Sequence, residues 1–276
     1  MSSATTPIVV CADDYGLESG VDTAIVALAS KGRLSATGCL VTAPGFVQSA
    51  PALKALPIDV GLHLNFTEHL GPPGTYRSLG ALIAAAYTGR LSAQAVRAQI
   101  DQQLDLFHAH VSRAPDFVDG HLHVHQLPMI REQLVEALRA RYPGRLPWLR
   151  DTRPTHLSFS LPWMQRIKAH VIGALGARAF STLAQRLGAE QNNGFAGAYD
   201  FSRQHPDYAW MLDQWLRHVC AWSVLMTHPA KSASPDLAFG QDRMREFQVL
   251  DSDDFLALLA RYNLRIARLS TRTAQS

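Results

Sequence analysis

The sequence predicts an α/β fold built around one mostly parallel sheet. Short, β-branched apolar segments alternate with longer stretches whose apolar residues recur at helical spacing. No low-complexity linker or fixed-period repeat divides the 276 residues, which suggests a single domain over 1–276. With 47% hydrophobic and 18% charged residues, the chain can fill a sizeable core. An open doubly wound sheet and a barrel both satisfy this rhythm, and in both, ligands gather at the carboxyl ends of the strands.

The elements follow in order. "PIVVCA" (7–12) is short, apolar and β-branched, as a buried strand requires. "GVDTAIVALASKGR" (20–33) has helical periodicity, with Gly32 placed to cap its end. "LSATGCLVT" (34–42) reads as a strand, "FVQSAPALKAL" (46–56) as a helix interrupted at Pro51, and "IDVGLHLNF" (58–66) as a third strand. After the turn-rich "TEHLGPPGTYRS", two helical stretches follow, "LGALIAAAYTGR" and "AQAVRAQIDQQLDLFHAHV". "PDFVDGHLHVH" (115–125) predicts the fourth strand, residues 128–142 a helix with Pro128 in its first turn, and "LPWLRD" (146–151) a fifth strand. A partly helical, less regular insertion covers about 152–219 and includes the glycine-aromatic loop "NNGFAGAYDFS". The rhythm returns with strand "AWSVLMTHP" (221–229), helical patterns over about 241–262, and a last strand, "LRIARLS" (264–270).

Several function classes drop out. The formal net charge is +3, from 26 basic and 23 acidic residues, and no basic run concentrates it, so no nucleic-acid or acidic-membrane partner is expected. No stretch approaches the roughly 18 apolar residues of a membrane span. "MSSATTPIVV" lacks the pattern of a signal peptide, and three scattered cysteines do not make a disulfide framework, so a cytoplasmic location is expected.

Chemistry collects at the strand ends. Asp13 and Asp14 end the first strand, His63 lies near the end of the third, Asp119, His121, His123 and His125 end the fourth, and His228 ends a late one. Each has a plain structural alternative: an Asp pair caps turns, and a single histidine is commonly a hydrogen-bonded core residue. "HLHVH" is harder to dismiss, because in an extended chain its three imidazoles share one face. In a parallel sheet these termini face one side, so the coincidence points to a divalent-metal site. One carboxylate with two imidazoles leaves positions open on the cation, and the cation would relieve the repulsion between the aspartates. Such a site can make water a nucleophile near neutral pH and polarise a carbonyl, leaving the second aspartate as general base and a histidine to protonate the leaving group. Spacing alone leaves His121, His123 and His125 as equal candidates for the metal.

Four segments, "ADDYGL", "VGLHLNFTE", "DGHLHVHQLP" and "LMTHPA", resemble the YdjC-like carbohydrate deacetylases, a family that includes chitooligosaccharide deacetylases. The resemblance covers about residues 8–270 and is weak over 152–215. It implies a TIM-barrel-like (β/α) barrel of about seven parallel strands, of glycoside hydrolase/deacetylase type. It implies that Asp14, His63 and His121 hold one Mg²⁺ or Zn²⁺ ion, that Asp13 is the general base, and that His228 is acid or transition-state stabiliser. His123, His125 and Asp119 then become supporting or substrate-facing groups. The implied reaction removes an acetyl group from an N-acetylated mono- or oligosaccharide, a small saccharide substrate, often in a homodimer. A related branch, associated with hopanoid synthesis, shares the aspartate pair but differs around the fourth strand.

The substrate side is less marked. Phe195, Tyr199 and Phe201 could stack on sugar rings or anchor their loop. Arg150 could contact substrate oxygens or form a surface ion pair. Two other classes compete. A phosphoacceptor receiver domain also carries an acidic pair after its first strand, but it is about half this length and needs an aspartate where His63 stands. A non-catalytic sugar-binding protein would not need the full set of acid–base groups.

Overall fold

The computed structural model describes residues 5–71, 73–154, 163–201 and 206–272. From the N-terminus the elements are β1 (Thr6–Tyr15), α1 (Ser19–Ser30), β2 (Ala36–Cys39), α2 (Phe46–Leu53) and β3 (Asp59–Leu64). Next come α3 (Leu79–Tyr87), α4 (Ala93–Val111), β4 (Phe117–Gly120), a tight 3-10 segment (His121–Gln126), α5 (Ile130–Arg141) and β5 (Trp148–Leu149). The chain continues through α6 (Trp163–Ala174), α7 (Ala177–Leu187), β6 (Gly194–Ala196), α8 (Tyr208–His218) and β7 (Ser223–Thr227). It ends with α9 (Gly240–Asp251), α10 (Asp253–Arg261), β8 (Leu264–Ile266) and a short 3-10 turn (Leu269–Thr271).

Every described strand pairing is parallel. Seven strands run in the row β5-β4-β3-β2-β1-β7-β6, and β8 pairs with the start of β1. The row curls until its ends meet through the bridges Leu149–Gln191 and Pro154–Phe195. The barrel alternative is therefore the one the chain adopts. The added strand, β6, lies in the segment read above as a loop: glycine and short length hid it, and pairing with β7 makes it a strand.

Side-chain alternation along these strands places the chemistry. Val9 and Cys11 of β1, Phe117 of β4, and Val224 and Met226 of β7 pack together inside the barrel. Ile8, Val10, Val118, Leu62, Leu64 and Leu225 point outward to the helices. Continuing the period of two, Asp13, His63, Asp119 and His228 all fall on inward positions at the carboxyl end. Phe117 stacks on Trp148 at 4.3 Å and closes the floor beneath them.

Some boundaries differ from expectation for local reasons. Pro51 lies inside α2, which ends two residues later instead of breaking there. The helical pattern over 241–262 is two helices, because Ser252 is extended and its hydroxyl accepts a hydrogen bond from Phe255 N–H to start α10. α5 starts at Ile130, with Met129 as its N-cap and Pro128 one residue further out. Gly32 has φ 68° just past α1, as a helix-terminating glycine requires.

The largest correction concerns "GHLHVHQ". β4 stops at Gly120, and Leu122 (φ 52°) and His123 (φ 60°) are both left-handed. The three histidines therefore do not line one face of a strand; the tight turn sends each to a different place. Gly120 permits the turn, since a Cβ there would meet His125 N at 2.9 Å.

Candidate active site

The backbone explains why two aspartates sit side by side. Asp13 points inward by alternation. Asp14 would point outward, but its φ of 72° and a register irregularity between Ala12 and Tyr15 swing its carboxylate back over the barrel mouth. Both carboxylates line one cavity of about 720 Å³, together with His63, His121, Tyr199, His228 and Arg243. A left-handed non-glycine residue costs about 1 kcal/mol or more, and such strain concentrates at functional sites.

Asp14 is the hub. His121 Nδ1 lies 3.0 Å and His63 Nε2 3.5 Å from its Oδ1, and Arg243 Nη2 donates to Oδ2 at 2.6 Å. Burial alone would raise the Asp14 carboxyl, but Arg243 and His121 outweigh it and hold it well below the usual range. Register sets the next contact: His63 and Asp119 are direct partners across β3 and β4. His63 Nδ1 lies 2.7 Å from Asp119 Oδ1, so its N–H is donated there and Nε2 is left facing Asp14. A Cβ on Gly38 would lie 3.1 Å from His63 Nδ1, so glycine clears room for the ring.

Donor atoms of Asp14, His63 and His121 lie within 4.8 Å of one another. A borderline cation suits this set: one carboxylate oxygen, one imidazole nitrogen oriented by a second carboxylate, and one half-buried imidazole at the cavity. Asp13, His63 and Asp119 satisfy the same distance limit. In this second set both carboxylates, Asp13 and Asp119, face Arg150, whereas in the first set Arg243 meets only Oδ2 of Asp14 and leaves Oδ1 to the two imidazoles. The first set is the better candidate for a cation.

Arg150 is 0% exposed. It donates to Asp13 Oδ2 at 2.6 Å and Oδ1 at 2.7 Å, a two-pronged grip on the carboxylate, and Nη2 forms a 2.7 Å ion pair with Asp119 Oδ2 without hydrogen-bond alignment. Both sequence-level roles for Arg150 are thereby corrected: it neither meets the surface nor lines the cavity, because the two inward aspartates draw it into the barrel.

The remaining predicted residues separate. His228 lines the cavity with Nδ1 buried and unpartnered, and burial pushes its imidazole down to about 4, so it is neutral at pH 7. His123 also lines the cavity and packs edge-on to Phe195 at 5.4 Å. His125 is wholly buried with Nε2 3.1 Å from Arg150 O, so its ring holds the chain behind the guanidinium. Phe195 is buried and faces Arg150, so of its two readings, sugar platform or loop anchor, its position fits the anchor. Tyr199 is 2% exposed, and its hydroxyl donates to Glu246 Oε1 at 2.7 Å. Phe201 stacks on Phe239 at 4.9 Å along the cavity.

Arg243 and Glu246 were not anticipated. They lie three residues apart on one face of α9, and in sequence they look like part of a solvated polar helix. The packing of α9 against α1, α8 and α10, with the Arg243–Asp14 and Glu246–His228 hydrogen bonds, buries them. Glu246 Oε2 accepts a hydrogen bond from His228 N at 2.6 Å, so it fixes the backbone that presents His228. Burial pushes the Glu246 carboxyl up to about 7, against the His228 N–H, Tyr199 and Arg243, which favour ionisation.

A stability prediction follows from Glu246. Its carboxyl holds a proton to about pH 7 when folded, against 4.5 as the ordinary value. Between these values the folded chain binds more protons than the unfolded one, so this group's contribution falls as pH rises and levels off above about 7. The gap corresponds to about 3 kcal/mol. Glu246→Gln removes the titration, so the difference between variant and parent in urea-unfolding free energy should change by that order between pH 4.5 and 8. A difference independent of pH would contradict the buried-acid assignment.

Comparisons with known proteins give the family and the fold. A family model described as "YdjC-like protein" matches residues 7–261. The carbohydrate deacetylase of Homo sapiens is 31% identical over 153 residues, 51% of this chain and 47% of that protein. The chitooligosaccharide deacetylase of Enterobacter sp. (strain 638) is 33% identical over 130 residues, 45% of this chain and 52% of that protein. The aligned stretch thus spans about half the length of these curated relatives. Among solved structures, a "putative cellobiose-phosphate cleavage protein" of Enterococcus faecalis V583 superposes with a TM-score of 0.69 at 18% identity, covering 96% of this chain and 98% of that one. A peptidoglycan N-acetylglucosamine deacetylase superposes with a TM-score of 0.50 at 11% identity, covering 97% and 90%. At these identities the two structures speak for the fold.

Proposed function

The chain belongs to the YdjC-like family, and from that membership we propose that it is a carbohydrate deacetylase, a hydrolase that removes the acetyl group from an N-acetylated mono- or oligosaccharide. One observation carries the reading: Asp13, Asp14, His63, His121 and His228, from four separate segments, line one cavity at the carboxyl end of the barrel. The names of the human and enterobacterial relatives support the same chemistry.

In this reading Asp14, His63 and His121 hold one Mg²⁺ or Zn²⁺ ion. Bound there, the cation would make water acidic near neutral pH and polarise the amide carbonyl. Asp13 takes the proton from the attacking water. Arg150 occupies one direction on each of its two oxygens, and a carboxylate has about four acceptor sites, so the cavity side stays available. Water oxygen bonds to the acetyl carbon, the C–N bond breaks, and the nitrogen leaves as an amine carrying a proton. His228, neutral in the resting site, steadies the developing charge and relays that proton. Asp119 keeps His63 in one tautomer throughout.

Free Cys11, Cys39 and Cys220 are compatible with the reducing, cytoplasmic setting that this reading includes. No described helix is long and apolar enough to cross a membrane.

Purified, metal-loaded protein should release acetate from at least one member of a panel of N-acetylated oligosaccharides. Release from none would sink the proposal. Elemental analysis of protein purified without chelators should find about one Mg²⁺ or Zn²⁺ per chain. Removing a ligand should cost more affinity than removing an outer partner, so Asp14→Asn should weaken cation binding more than about 100-fold in calorimetric titration. Retained affinity would exclude Asp14 as a ligand.

A further inference from the structure

Beyond His63, the segment "VGLHLNFTE" contains a second built feature. Asn65 follows β3 and is wholly buried. Its N–H donates to Gln103 Oε1 at 2.8 Å, and its carbonyl accepts from Gln103 Nε2 at 2.8 Å and Gln99 Nε2 at 3.2 Å. Both glutamines sit on α4, four residues apart, and are themselves buried. The Asn65 side chain donates to Thr42 Oγ1 at 3.1 Å and to Glu68 O at 2.7 Å. Its Oδ1 accepts from Thr67 N at 3.0 Å and Glu68 N at 2.9 Å. One buried amide thus clamps the Glu68 backbone by both its N–H and its carbonyl, in an Asx turn tied to α4.

A solvated loop glutamate needs no such clamp, whereas groups that recognise ligands sit on rigid supports. The clamp presents a carboxylate that lines the cavity and has no hydrogen-bond partner among the described residues; its side chain is 50% exposed. Glu68 Oε1 lies 4.0 Å from His121 Nε2. That gap is too wide for a direct hydrogen bond, and narrow enough for one hydroxyl to lie about 2.8 Å from both atoms. Leu79, Ile83 and Leu122 line the same cavity and offer no competing donor from their side chains. Asp200, the other carboxylate there besides Asp13 and Asp14, is placed differently. It lies near the Lys168 ammonium, which donates to Tyr199 O, so a counter-charge already stands beside it.

His121 completes the arrangement. When Nδ1, on the Asp14 side, gives its lone pair to the cation, the ring proton is on Nε2, on the Glu68 side. Resting on the deacetylase reading above, we propose that Glu68 determines sugar specificity: its carboxylate accepts a hydrogen bond from a ring hydroxyl of the sugar that carries the acetamide, and that hydroxyl accepts in turn from His121 Nε2–H. Sugar recognition is thereby built beside the reacting group. An analogue without that hydroxyl leaves a clamped carboxylate with no donor, which is how a polar site rejects a near-isostere.

The test uses methyl N-acetyl-β-D-glucosaminide and its 3-deoxy, 4-deoxy and 6-deoxy analogues, with acetate release measured for the parent, Glu68→Ala and Glu68→Gln. A hydrogen bond to a charged group is worth about tenfold to a hundredfold in binding, so one analogue should lose that much kcat/KM in the parent. Glu68→Ala should turn over the full sugar and that analogue equally. Glu68→Gln, which keeps the shape and one accepting oxygen, should fall between. No loss with any of the three analogues, or full discrimination retained by Glu68→Ala, would overturn the inference and leave the deacetylase reading intact. In that event a drop in Mg²⁺ or Zn²⁺ affinity of Glu68→Ala, read by calorimetric titration, would assign the carboxylate to holding His121 instead. Should no compound release acetate from the cation-loaded parent, the deacetylase reading fails, and calorimetric titration with the same four sugars decides Glu68 alone. Tighter binding of the full sugar by the parent, lost in Glu68→Ala, upholds the contact; any other pattern overturns it.

Discussion

Asp13→Asn is expected to lower kcat about 1,000-fold, the middle of the range for losing a general base, while the protein still binds one cation. Asp13 and Asp14 are neighbours in sequence but differ in electrostatic partner. Asp14 shares its Oδ1 with two imidazoles. Asp13 faces Arg150 on both oxygens. Asparagine keeps the volume and one accepting oxygen but replaces the other with an NH₂ that points at the guanidinium. Some stability is lost with the proton acceptor, so activity must be read beside cation titration and thermal unfolding. A folded, cation-binding Asp13→Asn protein with near-parental kcat would remove Asp13 from the mechanism. Asp14→Asn should show the reverse signature, with the cation lost first. The paired variants separate base from ligand, which neither can do alone.

Much of this site was legible because strands obey a period of two. Val9, Cys11 and Asp13 follow one another on the inward face of β1, as Phe117 and Asp119 do on β4. The carboxyl-end rule for parallel sheets then gathers them. Where the chain leaves that period, the residues alone misled. The three histidines of "HLHVH" look equivalent in an extended chain, and left-handed Leu122 and His123 make them unequal: one faces Asp14, one Phe195 and one Arg150 O. Nothing local announces two consecutive left-handed non-glycine residues. Arg150, Arg243 and Glu246 were illegible for another reason. Charged residues are presumed to face solvent, and their burial here is set by aspartates and a histidine that lie 18 or more positions away. β6 was missed because a three-residue strand owes its conformation to β7.

Arg150→Met tests how far the barrel interior depends on that buried cation. Methionine fills much of the volume, so the principal loss is charge. Asp13 and Asp119 would remain inside the barrel with their shared counter-charge gone, although Asp119 keeps His63. Breaking a buried pair from one side typically costs about 3–5 kcal/mol, a large part of the roughly 5–15 kcal/mol that holds a domain folded. For a chain of this size that lowers Tm by about 10 °C. Most of the cost comes from stranding the carboxylates, so neutralising one of them should recover some of it. The double variant Asp13→Asn with Arg150→Met should be more stable than the sum of the two single losses, with a coupling of about 1–3 kcal/mol. Additive losses would mean that Arg150 contributes packing and not charge. Arg150→Lys separates charge from geometry: an ammonium keeps the cation but cannot grip both Asp13 oxygens as the planar fork does. Its stability should fall between parent and methionine variant. Its kcat should fall further than that stability predicts, because Asp13 would no longer be held in one orientation toward the cavity.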